Sequence, residues 1–137
     1  MVDINRHKFY MVQILKEIYA DIELANCLGF KGGTALMFFY GLPRFSVDLD
    51  FNLLCSQQET LVYDRVKKII LKQGKIYDEA MKHYGPIIVL NYGMGERKLK
   101  VEISNRQFND HYEVKNFLGI NMKVMAQPDM FAHKLCA

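Results

Sequence analysis

Apolar residues recur at three- and four-residue steps across residues 5–27. Val12, Leu15, Ile18, Ile22 and Ala25 form the stripe, and Arg6, Lys8, Lys16 and Glu17 lie mostly off it. That is the period of an amphipathic helix, expected to cover one face of a sheet. Leu28-Gly29 ends it, and Phe30-Lys31 leads into a Gly-Gly-Thr turn from which Thr34 to Tyr40 reads as a short apolar helix. The period then changes to two. Asp48, Asp50 and Asn52 alternate with Leu49, Phe51 and Leu53, which predicts a strand with one polar and one apolar face. Ser56 to Glu59 matches a capping box, and Leu61, Val62, Val66, Ile69 and Ile70 carry a helix to Gln73, closed by Gly74. Beyond it the pattern predicts a strand over 75–84, a turn at Gly85-Pro86 and an apolar strand from Ile87 to Tyr92. A loop from Gly93 to Glu96 and a second alternating strand from Lys98 to Ser104 complete a hairpin. Another hairpin is expected over 112–125 about Gly119, and Pro128 opens a last helix.

Composition narrows the class. With 137 residues the chain is one domain at most, and half of it is hydrophobic, enough for a real core. A net charge of +3 permits an anionic substrate but is not the bias of a dedicated DNA-binding module. Cys27, Cys55 and Cys136 are odd in number and lack metal-ligand spacing, so they read as reduced and packed in a cytoplasmic protein. No run is long enough to span a membrane, so no membrane partner is expected. His7, His83, His111 and His133 show no zinc-site spacing and read as surface or packing residues.

The candidate chemistry lies between Phe30 and Leu54. Alternate residues of a strand are about 6.6 Å apart, so Asp48 and Asp50 can reach one small site from one face. Two carboxylates that close repel each other unless a cation sits between them. Mg²⁺, a hard ion that shares oxygen ligands with substrate phosphates, is the natural choice. Gly32 and Gly33 allow close approach of backbone to a ligand, and the free N–H groups at the start of the following helix suit a phosphate. A bare Asp-x-Asp is more often a solvated edge strand; the glycine turn upstream shifts the balance to a site. Glu102, on the polar side of its own alternating strand, is a candidate third carboxylate.

Gly-Gly-Thr-Ala-Leu followed by Arg44-x-Ser46-x-Asp48-Leu-Asp50-Phe51 resembles the AbiEii/AbiGii toxin family of nucleotidyltransferases, found in abortive-infection and type IV toxin–antitoxin systems. The run from Lys100 to Ser104 resembles the family's third motif, and Asp129, Lys134 and Ala137 fit its fourth, DxxxxKxxA. Thr34 stands where the family usually has serine, and the spacer before the aspartates is longer. The resemblance implies an α+β, polymerase β-like fold with a mixed sheet flanked by helices. It implies one catalytic domain over 1–137, which the family normally continues into a helical C-terminal region. On this basis the chain reads as a fragment or as a protein completed by another chain. It further implies transfer of a nucleoside monophosphate from an NTP to an acceptor, RNA such as tRNA or a protein, and a cognate antitoxin as partner. Asp48, Asp50 and Glu102 would hold two Mg²⁺ ions. Gly32, Gly33 and Thr34 would cradle phosphates, Lys134 would neutralise the triphosphate, and Arg44 and Ser46 would shape the loop. The same residues also suit a small-molecule nucleotidyltransferase of the antibiotic-modifying kind, or a catalytically silent nucleotide- or RNA-binding module.

Overall fold

In the computed structural model, which describes residues 4–43, 45–93, 98–106 and 110–136, the N-terminal helical stretch is two helices rather than one. Helix α1 (Ile4–Ala20) stops at Asp21, whose extended backbone and carboxylate start α2 (Ile22–Cys27) by accepting from the amides of Glu23 and Leu24. Arg65 holds that carboxylate through two contacts of 3.1 Å. A continuous apolar stripe conceals this break because a capping aspartate keeps the helical spacing nearly intact on either side.

The helical stretch ends as expected, with Leu28 as its cap, and Leu28 to Lys31 is itself a strand, β1, with Leu28 and Phe30 fully buried. Four residues are too few for alternation to declare itself. Helix α3 (Gly32–Tyr40) follows without a connecting loop and ends at Gly41, in the left-handed conformation. Strand β2 is Leu49–Leu53. The expected capping box is absent: Ser56–Gln58 forms a 3-10 turn, and α4 (Glu59–Gln73) begins after it with no side-chain cap. The Glu59 carboxylate instead accepts from Asn105 Nδ2 at 3.2 Å.

Strands β3 (Lys75–Lys82), β4 (Gly85–Asn91) and β5 (Lys98–Ser104) form an antiparallel meander, and β6 (Tyr112–Phe117) and β7 (Ile120–Met125) a hairpin. The turn expected at Gly85-Pro86 falls two residues earlier, at His83 and Tyr84, and Gly85 and Pro86 belong to β4. Gly85 is needed for close approach: a Cβ there would lie 2.0 Å from the Ile103 carbonyl oxygen. The loop expected over Gly93 to Glu96 lies outside the described residues after Gly93. Leu118 and Gly119, both at positive φ, make the tight two-residue turn between β6 and β7. Helix α5 (Gln127–Cys136) has Pro128 in its first turn.

The sheet order is β3-β4-β5-β2-β1-β7-β6. It is mixed: β2 runs parallel to β5 and β1 parallel to β7, while β1 and β2 are antiparallel. Leu49, Phe51 and Leu53 join Val101 and Ile103 in the core, where α1, packed on α4, brings Tyr19 against Phe51. Cys27 is buried and Cys55 half-buried, both as free thiols. No helix among the described residues is long and apolar enough to cross a membrane.

Candidate active site

Lys31 ends β1, and α3 begins at the next residue. Gly32 has φ +86°, and a Cβ on it would sit 2.7 Å from Asp50 Oδ2. A Cβ on Gly33 would sit 2.7 Å from Ser46 Oγ. The two glycines therefore let the start of α3 lie directly against a carboxylate and against the segment leading to Asp48. Asp50 is in register with Lys31 on one side and with Glu102 on the other. Opposed residues on neighbouring strands share a face, so Lys31, Asp50 and Glu102 form a row across three strands. A cleft of about 290 Å³ lies over that row, with Gly32, Gly33 and Arg106 also on its wall and Leu36, Met125 and Met130 forming its apolar side.

Charge is concentrated here. Burial, then the neighbouring Glu102 and Asp48 charges, push the Asp50 carboxyl up to about 6; Lys31 and Lys100 oppose the shift. Lys31 is pushed down from the usual ammonium range, by burial first and then by Arg106, against the pull of Asp50, Glu102 and Asp110. Lys100 Nζ lies 3.9 Å from Asp48 Oδ2 and 3.8 Å from Glu102 Oε2. Both carboxylates are about two-fifths exposed, at 41% and 42%, and so remain within reach of solvent ions. Among the described residues no three His, Cys, Asp or Glu side chains form a ready-made metal cage. Mg²⁺ does not require one: it is held by one or two carboxylates and completes its shell with water and substrate phosphates. The crowded, half-buried Asp50 and the more open Asp48 and Glu102 suit that donor set.

The structure thus brings Asp50, Glu102, Gly32 and Gly33 to one cleft, with Asp48 linked to it through Lys100. Thr34 is different. Its hydroxyl is fully buried and donates to the Asp48 carbonyl, with Ser46 Oγ 3.2 Å away. The expected phosphate contact is replaced by an anchor on the backbone of the aspartate motif. Asn52, on the polar side of the alternation, is buried too; its Nδ2 donates to the Tyr112 hydroxyl at 2.7 Å. Arg44 lies outside the described residues. Lys134 stands in α5, one turn after the cleft residue Met130, and its side chain is outside the described set. Asp129 accepts from the His111 amide at 2.6 Å, which ties α5 to the start of β6.

Three site residues escaped the sequence reading. Lys31 shows its role only through pairing with Asp50. Arg106 follows the alternating strand rather than belonging to it. Lys100 lies in the alternation beside Glu102 but reads there as a cross-strand partner.

This fold is that of the nucleotidyltransferases. The sequence profile described as "Nucleotidyl transferase AbiEii toxin, Type IV TA system" matches residues 13–137, and the chain belongs to that family. No match is found among curated proteins. Two Helicobacter pylori crystal structures are similar. One, of a protein assigned as a nucleotidyltransferase, is 29% identical with TM-score 0.67, over 96% of this chain and 57% of that one. The other, JHP933, is 28% identical with TM-score 0.63, over 98% and 56%. MenT4, a nucleotidyltransferase toxin from Mycobacterium tuberculosis H37Rv, shares the fold at 22% identity with TM-score 0.73, over 96% and 52%. The chain therefore spans just over half the length of the structures it matches.

Proposed function

We propose that the chain carries the catalytic site of a toxin nucleotidyltransferase that moves a nucleoside monophosphate from an NTP to an acceptor hydroxyl. The observation that carries this reading is the row Lys31–Asp50–Glu102 beside the Gly32–Gly33 helix start, since a phosphate-binding turn and clustered carboxylates meet in one cleft. Asp48 and Asp50 are the residues to hold Mg²⁺, joined by Glu102 on the acceptor side. When bound, the metal supplies positive charge at the reacting and leaving phosphates. The Gly33 amide, at the N-terminal end of α3, and the Lys31 and Arg106 cations receive phosphate oxygens. Lys134 of α5 adds charge at the triphosphate. Glu102 takes the proton from the acceptor hydroxyl as that oxygen forms its bond to the α-phosphorus and pyrophosphate leaves.

An RNA acceptor suits the neighbouring surface. Tyr77 on β3 is 58% exposed, and Lys98 Nζ lies 3.5 Å from its ring centroid. Lys98, Lys100 and Glu102 share the polar side of β5, so cations and an exposed ring continue from the cleft, a combination that serves stacked bases and phosphates. A cognate antitoxin as partner and a cytoplasmic location complete the proposal. The test supplies each α-labelled NTP with Mg²⁺ to total RNA, purified tRNA and small hydroxyl acceptors. Label on RNA, lost in Asp50→Asn, supports the reading. Label only on a small acceptor moves the protein to the antibiotic-modifying class, and no label on any acceptor, with nucleotide still bound, makes it a silent binding module.

A further inference from the structure

His7 is 2% exposed, on the first turn of α1, ahead of the family-matched residues. Both ring nitrogens have partners: Nε2 lies 2.8 Å from the Val47 carbonyl oxygen and Nδ1 2.7 Å from the Tyr92 hydroxyl. A carbonyl accepts only, so Nε2 carries a proton and donates to it, and the Tyr92 hydroxyl holds Nδ1. Tyr92 is itself fixed, stacked on Tyr10 at 4.3 Å. The Val47 carbonyl belongs to the peptide plane immediately before Asp48. The plane immediately after it carries the Asp48 carbonyl, which Thr34 holds. Asp48 lies ahead of β2, whose pairing with β5 starts at Leu49, so the sheet does not fix its conformation. Peptide units are rigid, and with both flanking planes pinned the Asp48 dihedrals, and hence the direction of its Cβ, are set.

We propose that His7, oriented by Tyr92, is a positioning residue that works with Thr34 to fix the backbone of Asp48 and so to hold its carboxylate beside Lys100 and Glu102 at the edge of the cleft. Its catalytic consequence rests on the nucleotidyltransferase reading above; its effect on Asp48 does not.

The experiment uses the full chain and three variants. His7→Ala removes the clamp. Tyr92→Phe keeps the ring stack but removes the hydroxyl that holds Nδ1, and protects the test should His7→Ala fold poorly. His7→Gln can return a donor to the Val47 carbonyl. The readouts are ¹⁵N relaxation of the Asp48 amide, Mn²⁺ affinity by electron paramagnetic resonance, and kcat for transfer. In His7→Ala the Asp48 amide should become mobile while those of Phe51 and Ile103 stay rigid. Mn²⁺ affinity should fall about tenfold, as when a ligand's supporting contact is lost. The kcat should fall about 10- to 100-fold. Tyr92→Phe should lie between, and His7→Gln should recover most of the loss. An Asp48 amide that stays rigid in both His7→Ala and Tyr92→Phe overturns the proposal. So does mobility spread evenly through the core strands, which would make His7 an ordinary packing residue. If the wild-type chain neither binds Mn²⁺ nor transfers nucleotide, the functional reading fails, and the Asp48 relaxation still decides whether His7 sets that backbone.

Discussion

Asp50 is the residue on which the site's electrostatics turn. Its carboxyl is raised to about 6 by burial and by Glu102 and Asp48, whereas an unfolded chain would ionise it near the ordinary value of about 3.9. Between these two values the folded protein holds a proton that the unfolded chain has released. Stability in chelator-treated buffer should therefore fall as pH rises from about 4 to about 6, then level off, by at most about 3 kcal/mol. Asp50→Asn should be flat over that interval and more stable than wild type at neutral pH. Urea melts across the range check this, and two curves that run parallel would refute it. Adding Mg²⁺ at neutral pH should raise the wild-type midpoint and raise that of Asp50→Asn by less, because the variant keeps Asp48 and Glu102 but lacks one of the carboxylates that draw the cation to the folded state. The polar strand faces that carry Asp50 and Glu102 were legible in the sequence because alternation is a local signal; Asp48 reads as part of the same strand but stands just ahead of it. Lys31 and His7 were not legible. The first acts through a register set by strand pairing, and the second through partners 40 and 85 residues away.

Elements that announce themselves by a long period were readable, and those defined by one contact were not. The strand carrying Asp50, the β4–β5 and β6–β7 hairpins and α4 all follow from spacing. The break at Asp21, the 3-10 turn in place of a capping box, and β1 do not. Each depends on a long-range partner: Arg65 for Asp21, Asn105 for Glu59, and β2 and β7 for β1. The two faces of β2 give a direct test of this level. Leu49 is fully buried, so Leu49→Ala should cost about 2–5 kcal/mol of stability. Asp50→Asn, one residue on, should cost none at neutral pH while removing transfer. Equal losses of stability in both variants would mean the strand faces are misassigned. At the α1–α2 junction, Asp21→Ala should cost about 1–2 kcal/mol, because a helix cap is lost and Arg65 loses a partner. Mn²⁺ affinity should not change, since Asp21 is not part of the cleft.

At the scale of the whole molecule the cleft sits on a seam. The β3–β4–β5 meander meets β2 through a parallel pairing, the β6–β7 hairpin meets β1 through another, and Asp50 and Lys31 face each other where β1 and β2 join the two halves. Helix α5 closes the seam from the β7 side: it packs on α3, buries Met130 at 3% exposure, and is tied to His111 through Asp129. Its first half is thus docked on the chain itself, and Lys134 stands one turn beyond Met130. If Lys134 contacts the triphosphate, NTP with Mg²⁺ should slow amide exchange along α5, and Lys134→Ala should abolish that protection while leaving exchange in the nucleotide-free protein unchanged. Asp129→Ala should do the opposite, speeding α5 exchange before nucleotide is added and weakening NTP binding in consequence. Because the chain spans 52–57% of the compared structures, the same measurement can be repeated with the C-terminal region of a longer homologous chain supplied in trans. Added protection of α5 and tighter NTP binding would show that the helix is completed by further contacts. Protection already complete without that region, with full dependence on Lys134, would show that Asp129 and Met130 suffice to hold the lysine at the cleft.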